Sequence, residues 1–367
     1  MATHTDKSKI MAPRVHFGHK GRIFWCCMKP DDQTIIATAC EDGTIALWDD
    51  SGGADESCKK SFQAHDDEAL RVCWDKEFEN VLYSGGADGK IKVFKVGDDF
   101  EISPQSSIDV AQGSQEGQIY SILQFDKQLE IGAAHDDSVT IMDKSRLDPL
   151  LSWKYHPTND KISVGGPRNP ENKSFVFDAS TLESVVYAAL SDGTIRSRDV
   201  RSPLRDINCV PAHSNYTTSC GVADNFLASG SGDGTCSIWD IRTWKCLHTY
   251  NTQRHAIYGI DFWPSNPSLM YSWSGNGQVT FHQQGQVVCA LSAGNARKSL
   301  PHYPVYSTCM RSDGSQLVMA GGASLEPTME ETFGMLPYPI EEQGCVRYTE
   351  KDKVNLIPWI SISMKNI

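Results

Sequence analysis

The sequence lacks the long apolar segments of a membrane or secreted protein. None of its 367 residues falls in a run of eighteen apolar residues, so we expect no transmembrane helix. Residues 1–13 are polar and lack the apolar stretch of a secretory signal, which predicts a disordered tail. The twelve cysteines are scattered, and no pair has the C-x2-C spacing of a zinc site. We therefore expect reduced cysteines packed as small core residues in a cytoplasmic or nuclear protein.

Basic residues are also in short supply. There are 34 of them against 46 acidic residues, a net charge of −12, whereas a protein held to nucleic acid by phosphate contacts normally has a basic surface. The composition thus argues against direct nucleic-acid binding. The chain also lacks a G-x-S-x-G elbow, an H-E-x-x-H helix and a zinc-deaminase signature. We predict no enzymatic activity, no cofactor and no metal site.

What the sequence does contain is a repeat. Its clearest copy is LASGSGDGTCSIWDIR, residues 227–242, in which a turn acid is followed six residues later by a tryptophan. Six units share this spacing, in which the turn residue and the position six residues later are Asp42 and Trp48, Asp88 and Phe94, Asp136 and Met142, Asp192 and Arg198, Asp233 and Trp239, and Asn276 and His282. A weaker seventh unit begins at residues 318–323 and is expected to end with residues 345–349, CVRYT. Apolar runs of strand length, separated by Asp-Gly turns with positive φ at the glycine, predict a nearly all-β chain with tight primed hairpins.

Seven such units resemble the WD-repeat β-propeller family from about residue 14 onward. The dipeptides Gly18-His19, Ala64-His65 and Ala212-His213, together with the turn acids and tryptophans, carry the resemblance. It implies an all-β fold, a single seven-bladed propeller of four-stranded antiparallel blades spanning residues 14–367. It also implies a hydrogen-bonded network within each good blade, because a buried imidazole, carboxylate and indole N–H satisfy one another. The predicted network residues are His19, Asp42, Trp48, His65, Asp88, His213, Asp233 and Trp239.

The resemblance further implies that the ring is closed by pairing of the two chain ends. Residues 14–17 precede the first repeat and are placed to form the outer strand of the last blade. Residues 355–364, NLIPWISISM, form a competing apolar run. We expect the N-terminal strand to close the ring, with the C-terminal segment packed beside it.

Two insertions, at about residues 155–173 and 324–344, interrupt the pattern and are expected to decorate one face of the propeller. The second has an acidic frame around aromatic and methionine residues, a composition that suits partner binding. The candidate partner-binding residues are Lys161, Arg168, Glu330, Glu331, Phe333, Met335 and Tyr338. An equal alternative is that residues 333–338 plug the mouth of the central channel.

The fourth unit is unusual because Arg198 occupies the tryptophan position. A guanidinium is planar and can stack where an indole would, so we expect a structural arginine paired with Asp192 or Asp199. The alternative is a local site for an anion or an acidic peptide.

These patterns favour a non-enzymatic protein–protein interaction scaffold, a monomeric propeller in a multiprotein complex whose protein or peptide partners dock around the two insertions. One alternative comes from residues 227–242, which are similar to the W-D-x-R box of substrate receptors in cullin–RING ubiquitin ligases. That resemblance implies adaptor contacts by Asp240 and Arg242. Another alternative is a propeller enzyme using the central channel, which would require acids, histidine and a metal that the sequence does not supply.

Overall fold

The computed structural model describes residues 14–51, 57–111, 117–125, 130–157, 173–202, 205–251, 255–264, 266–292, 304–322 and 357–363. For residues 14–18, 289, 291–292 and 357–363 it describes the backbone alone. The predicted N-terminal tail therefore lies outside the described residues. So do residues 324–344 and most of the insertion at 155–173.

Every regular element in these ranges is a β-strand. The first fourteen are β1 (Arg14–His19), β2 (Ile23–Met28), β3 (Ile35–Cys40), β4 (Thr44–Asp49), β5 (Cys58–Gln63), β6 (Ala69–Trp74), β7 (Val81–Gly86), β8 (Lys90–Val96), β9 (Ile102–Asp109), β10 (Ile119–Gln124), β11 (Glu130–His135), β12 (Ser138–Asp143), β13 (Pro149–Lys154) and β14 (Val176–Leu182). The others are β15 (Val185–Leu190), β16 (Thr194–Asp199), β17 (Asn208–Pro211), β18 (Thr217–Ala223), β19 (Phe226–Ser231), β20 (Thr235–Asp240), β21 (Lys245–Asn251), β22 (Ile257–Trp263), β23 (Asn266–Ser274), β24 (Gln278–Gln283), β25 (Gln286–Ser292), β26 (Val305–Met310), β27 (Gln316–Gly321) and β28 (Ile357–Ser363). Within the same ranges, no helix could cross a membrane.

The described strands form seven four-stranded antiparallel sheets, an arrangement consistent with a β-propeller. Sheets 1 to 6 are consecutive meanders, β2–β5, β6–β9, β10–β13, β14–β17, β18–β21 and β22–β25. Sheet 7 has the order β26-β27-β28-β1 and so combines strands from both ends of the chain. The second and third strands of each meander are largely buried, whereas fourth strands such as β5 and β21 are mostly exposed. Each sheet thus presents its outer edge to solvent.

The seven hydrophobic clusters lie between sheets rather than within them. Each cluster draws its buried side chains from two sheets that are neighbours in number, and one joins sheet 7 to sheet 1. In that last cluster Ile23 and Cys26 pack with Val318 and Ala320. Burial of apolar faces against the next sheet is the main force that holds such an array together. We call the first strands β2, β6, β10, β14, β18, β22 and β26 the inner strands, and the space between them the central channel.

The hairpins between second and third strands differ from the predicted primed turns. In sheet 1 the Gly43 N–H donates to Cys40 O at 3.0 Å across a three-residue connection. Gly43 has a φ of 77°, and the glycines at the matching turn positions of sheets 2, 4, 5 and 6 also have positive φ. The positive φ is as predicted. The turn type was wrong, because a three-residue connection places the glycine after a type I turn as a bulge.

Sheet 7 corrects a second prediction. The strand beside β27 is β28, with Val318 opposite Ser361, whereas residues 345–349 were expected there. On its other side β28 pairs with β1, with Val15 opposite Ile360. The C-terminal run therefore lies between β27 and the N-terminal strand, because it offers seven extended residues with partners on both sides. Residues 345–349 lie outside the described residues.

Ten of the twelve cysteines have a described side chain, and all ten are free thiols. Cys26 and Cys236 are buried members of the clusters between sheets, as expected of small core residues.

Candidate functional site

In sheet 5 the predicted network residues form one continuous hydrogen-bonded chain. The Trp239 indole N–H donates to Ser229 Oγ at 3.0 Å, and Ser229 Oγ lies 2.8 Å from His213 Nε2. His213 Nδ1 lies 2.9 Å from Thr235 Oγ1, and that hydroxyl donates to Asp233 Oδ1 at 2.6 Å. Because the Thr235 hydroxyl gives its one proton to Asp233, it accepts from His213 Nδ1–H, and in the neutral imidazole Nε2 then accepts from Ser229. Burial lowers the pKa of His213 to about 4, in agreement with this neutral form.

Sheet 1 repeats this arrangement with a threonine in place of the serine. The Trp48 indole N–H donates to Thr38 Oγ1 at 2.7 Å, and Thr38 Oγ1 lies 2.6 Å from His19 Nε2. Thr44 connects the imidazole to the turn acid, since its hydroxyl lies 3.4 Å from His19 Nδ1 and donates to Asp42 Oδ1 at 2.5 Å. In both sheets, therefore, the histidine reaches the turn acid through a threonine rather than directly.

Sheet 2 has a shorter network. His65 Nδ1 lies 2.9 Å from Asp88 Oδ1, and His65 Nε2 lies 2.8 Å from Ser84 Oγ. Phe94 stands in the tryptophan position, so no indole joins the serine. The eight predicted network residues are thus brought together in three networks. His19 reaches its network from β1 of sheet 7, and His65 and His213 reach theirs from the connections before β6 and β18. Their contribution to stability stays a prediction.

Two further buried histidines also hydrogen-bond to hydroxyl groups, although the sequence did not place them in networks. His282 occupies the tryptophan position of sheet 6, and its Nε2 lies 3.0 Å from Ser272 Oγ. His135 ends β11, and its Nε2 lies 3.0 Å from Thr140 Oγ1. Burial lowers the pKa of each to about 4. The spacing from Asn276 placed His282 at the tryptophan position, but the sequence did not show that it joins a network. That role depends on a hydroxyl group facing the imidazole, here the hydroxyl of Ser272.

One set of potential metal-ligating atoms lies in sheet 1, where single atoms of His19, Cys40 and Asp42 are all within 4.8 Å of one another. Both imidazole nitrogens and the carboxylate already bond to hydroxyl groups of the network. At the position of Cys40, sheet 5 has Ser231, whose Oγ accepts the N–H of its own turn acid at 3.2 Å. The cluster therefore matches a hydrogen-bonded turn that recurs without the cysteine, and we assign it a structural role.

The arginines of sheet 4 are engaged in internal contacts. Arg198 Nε donates to Asp206 Oδ1 at 2.8 Å, and its guanidinium carbon lies 5.3 Å from the ring centres of both Trp153 and Tyr155. Arg196 Nη2 donates to Asp192 Oδ2 at 2.6 Å. The partner of Arg198 is thus Asp206, and neither of the predicted acids, because Asp206 precedes β17, which pairs with the strand that carries the arginine. This geometry agrees with a stacked structural arginine and leaves no basis for the anion site.

Asp240 and Arg242 lie at the end of β20. Arg242 Nη2 is 3.3 Å from Asp240 Oδ2, and 68% of the arginine side chain is exposed. All seven candidate partner-binding residues of the two insertions lie outside the described residues, so they stay predictions. Among the described residues, a different candidate site lies around the central channel.

The entrance of this channel is lined by one bulged residue from each sheet. Each inner strand has a register shift between its first and third residues, which removes the second residue from the regular alternation. A bulge redirects a side chain, here away from the faces that pack between sheets. The seven bulged residues, which we call the mouth ring, are Phe24, Leu70, Tyr120, Phe177, Thr218, Tyr258 and Tyr306.

Neighbouring members of the mouth ring contact one another. Tyr258 and Tyr306 are stacked with ring centres 5.5 Å apart, and Phe24 meets Tyr306 edge-on at 5.6 Å. Tyr120 meets Phe177 edge-on at 6.4 Å. The contact between Phe24 and Tyr306 joins sheet 1 to sheet 7. The ring thus presents two aromatic groups, one of three and one of two side chains, on which planar or cationic groups can stack.

A charged group borders this aromatic surface. Arg22 Nη2 donates to Glu41 Oε1 at 2.8 Å, and its guanidinium carbon lies 5.2 Å from the centre of the Phe24 ring. Glu68 is 7% exposed, and its Oε1 has no hydrogen-bond partner and lies 3.9 Å from Arg22 Nη2. Burial raises the pKa of Glu68 to about 7, against the attraction of Arg22. The mouth therefore holds a buried carboxyl group whose cation, Arg22, lies 3.9 Å away and donates more closely to Glu41.

Further along the channel, charged side chains from non-adjacent sheets act on one another electrostatically. Arg71 on β6 acts on Asp178 on β14 although β10 lies between their strands, and Asp178 also acts on Asp261 of β22. These groups influence one another through space rather than through an ion pair. Burial raises the pKa of both Asp178 and Asp261 to about 6.

Asp261 is the exposed residue among the described positions of the inner strands, although protein surrounds it. Its carboxylate accepts the Phe262 N–H at 2.8 Å and makes no ion pair with a described cation. The Asp261 side chain is thus accessible to solvent although protein surrounds it, so the solvent that reaches it lies within the channel. Arg71 is already occupied, since its guanidinium carbon lies 4.0 Å from the centre of the Trp25 ring.

The sequence contained a signal for this site that residue-by-residue reasoning missed. The residue after the start of each inner strand is aromatic in five of the seven repeats, at Phe24, Tyr120, Phe177, Tyr258 and Tyr306. That recurrence has the period of the repeat, but its significance depends on a bulge that the sequence does not show.

Comparisons with known proteins agree with the repeat pattern. The family model described as "WD domain, G-beta repeat" matches residues 12–49, 56–95 and 204–240. The guanine nucleotide-binding protein subunit beta of Schizosaccharomyces pombe is 30% identical over 142 residues, which cover 36% of this chain and 43% of that protein. THO complex subunit 3 of Arabidopsis thaliana is 21% identical over 315 residues, covering 84% of this chain and 91% of that protein. The GATOR2 complex protein Wdr24 of Drosophila melanogaster is 21% identical over 259 residues, 68% of this chain but 31% of that protein.

The three family-model matches cover β1–β4, β5–β8 and β17–β20, and they include all eight predicted network residues. Four-stranded antiparallel sheets, a repeated turn acid and these similarities lead to the same conclusion: the chain is a member of the WD-repeat family.

Proposed function

We propose that the chain is a closed seven-bladed propeller that acts as a non-enzymatic interaction scaffold, with partner proteins docking at the mouth ring. The pairing of β1 with β28 and the packing of sheet 7 on sheet 1 support closure and a single propeller spanning residues 14–367. Several relatives are named as parts of complexes, THO complex subunit 3 and GATOR2 complex protein Wdr24 among them. Their names support a place in a multiprotein complex, and the free thiols of the described cysteines favour the cytoplasm or nucleus.

The observation that carries the proposed docking site is the stacked pair Tyr258 and Tyr306 beside the incompletely paired Glu68. Tyrosine offers a large, rigid contact area at a low cost in conformational entropy, and aromatic residues are enriched among the residues that dominate binding energy. A rigid ring of blades fixes the positions of these side chains. A partner that docks there therefore meets a preorganised surface.

An enzymatic role has less support. Carboxyl groups do reach the channel, but each of the five buried histidines described above already hydrogen-bonds to a serine or threonine hydroxyl. The networks use both imidazole nitrogens in sheets 1, 2 and 5. The described part of the channel thus has acids without a histidine base beside them.

The proposed docking site is tested by quantitative affinity purification of the full chain. Tyr258→Ala should remove a defined set of partners. Because Tyr258 also packs on the cluster between sheets 6 and 7, thermal unfolding is measured in parallel to show that the variant is folded at the assay temperature. The matched control is Leu247→Ala on the outer strand β21, whose side chain is 44% exposed and far from the mouth in the order of strands. Equal partner sets for the two variants would reject the mouth as the docking site.

The ligase-receptor alternative is kept by one observation, the exposed Arg242 held beside Asp240 at the end of β20. Arg242→Ala should abolish capture of a cullin–RING adaptor propeller without a change in thermal stability. Lys245→Ala, an exposed cation three residues later, is the control. Unchanged adaptor capture by Arg242→Ala rejects this alternative.

A further inference from the structure

We propose that the central channel receives a cationic side chain, arginine or lysine, from a basic peptide of the docking partner. The charged end of that side chain is bound by the carboxylate of Asp261, and Glu68 holds the peptide at the mouth. The inference rests on the proposed docking at the mouth ring and adds the chemical class of the ligand.

The channel holds more carboxyl groups than cationic groups, which favours the binding of a further cation. At the mouth, one guanidinium, that of Arg22, faces two carboxyl groups, those of Glu41 and Glu68. Deeper in the channel, one guanidinium, that of Arg71, faces Asp178, while Asp261 has no cationic partner. Each level thus carries one carboxyl group more than it has cations. An incoming ammonium or guanidinium would balance this excess, because opposite charges attract more strongly where little water screens them.

The chain's own arginines show that the walls accept cations. The guanidinium of Arg22 stacks on Phe24 at 5.2 Å, and that of Arg71 stacks on Trp25 at 4.0 Å. Both aromatic residues lie near the start of β2. The ring of Tyr258 offers the same kind of surface, whereas Tyr306 already hydrogen-bonds to Arg22. A second cation can therefore stack at the mouth without displacing the first.

The distances along the inner strand suit one long side chain. Asp261 follows Tyr258 by three residues on β22, which corresponds to about 10 Å of extended strand. One glycine leaves the carboxylate uncovered on one side. Gly221 lies on the neighbouring inner strand β18, and a Cβ there would lie 3.5 Å from Asp261 Oδ1. The space at Gly259, in contrast, is filled by the Trp273 ring, which a Cβ would meet at 1.9 Å. A peptide backbone at the mouth ring can thus place the end of an arginine or lysine beside the carboxylate.

The test uses four synthetic peptides, acetyl-Gly-Ser-Gly-X-Gly-Ser-Gly-amide with arginine, lysine, citrulline or norleucine as X. Affinity for the full chain is measured by isothermal titration calorimetry at pH 8, where the channel carboxyl groups are ionised. A charge-assisted pair in this site predicts that the arginine or the lysine peptide binds about tenfold or more tightly than its neutral counterpart. Asp261→Asn should remove that preference, and Glu68→Gln should weaken it about threefold or more.

The control is Asp98→Asn, an exposed acid outside the inner strands, which should leave the preference unchanged. Equal binding of charged and neutral peptides to the wild-type chain overturns the proposal, as does a preference that survives Asp261→Asn. If Asp261→Asn does not fold, Glu68→Gln alone decides, and an unchanged preference in that variant overturns the proposal. Loss of partners in Tyr258→Ala together with equal peptide binding would reject the ligand class but keep the docking site. Retention of all partners in that variant would reject the docking site itself.

Discussion

Two equivalent serines provide a direct measure of what the indole adds to a histidine network. Ser229 and Ser84 occupy the same position in sheets 5 and 2, and both are fully buried. Ser84→Ala leaves the Nε2 of one buried imidazole without a partner, which should cost about 1–3 kcal/mol. Ser229→Ala leaves both an imidazole nitrogen and the indole N–H of Trp239 without partners, so the expected cost is about 2–6 kcal/mol. The loss of unfolding free energy in Ser229→Ala should therefore be roughly twice that in Ser84→Ala.

The assay is equilibrium urea unfolding of the full chain, followed by fluorescence and circular dichroism to check that the two transitions coincide. A second comparison isolates the indole. In a Trp239→Phe background, which copies the phenylalanine of sheet 2, Ser229→Ala should cost no more than Ser84→Ala. If the two serine variants lose equal stability in the wild-type background, the shared hydroxyl is not the centre of the network and the reasoning is refuted.

Three further predictions concern stability and use the same urea assay. The folded-state pKa of His213 is about 4, below its ordinary value of 6.5, so the unfolded chain binds more protons between these two pH values. The free energy of unfolding should therefore fall as the pH is lowered from 6.5 to 4, by up to about 3 kcal/mol for this group. His213→Gln should reduce this fall. Gly86→Ala should destabilise the protein by about 1–3 kcal/mol, because its Cβ would lie 2.4 Å from the imidazole of His65. Gly97→Ala is the control and should be close to neutral, because no atom lies within 3.6 Å of its Cβ. Equal effects of the two substitutions would contradict the steric explanation. Asp206→Ala should cost about 3 kcal/mol by leaving the buried Arg198 guanidinium without its closest acid, and adding Arg198→Leu should recover part of that loss; no recovery would show that charge burial is not the cause.

The repeat made most of the sheet content predictable. A turn acid with a fixed spacing to the tryptophan position marks the second and third strands of six sheets, and these strands lie where the pattern places them. The seventh sheet was predictable only in part. Its third strand follows β27 after a long interval, and local patterns cannot tell which of two apolar runs, 345–349 or 357–363, will pair with it.

The histidine networks were predictable as sets of residues but not as bonds. Ser229 connects Trp239 to His213, and Thr235 connects His213 to Asp233, so neither the indole nor the imidazole bonds directly to the turn acid. Hydroxyl side chains are common in strands, and the sequence gives no sign of which of them face inward to complete a network. The pairing of Arg198 with Asp206 was missed for the same reason, because strand register decides which acid lies opposite.

The sequence by itself determined the repeating unit, since apolar alternation and turn chemistry act over a few residues and need no distant partner. It also determined the membership of the family. Tertiary structure alone decided the candidate site. Arg71, Asp178 and Asp261 come from three different repeats, and only the assembly of the sheets brings them together across one channel. The aromatic mouth likewise exists because seven bulges, one in each sheet, turn the second residue of every inner strand toward the same axis.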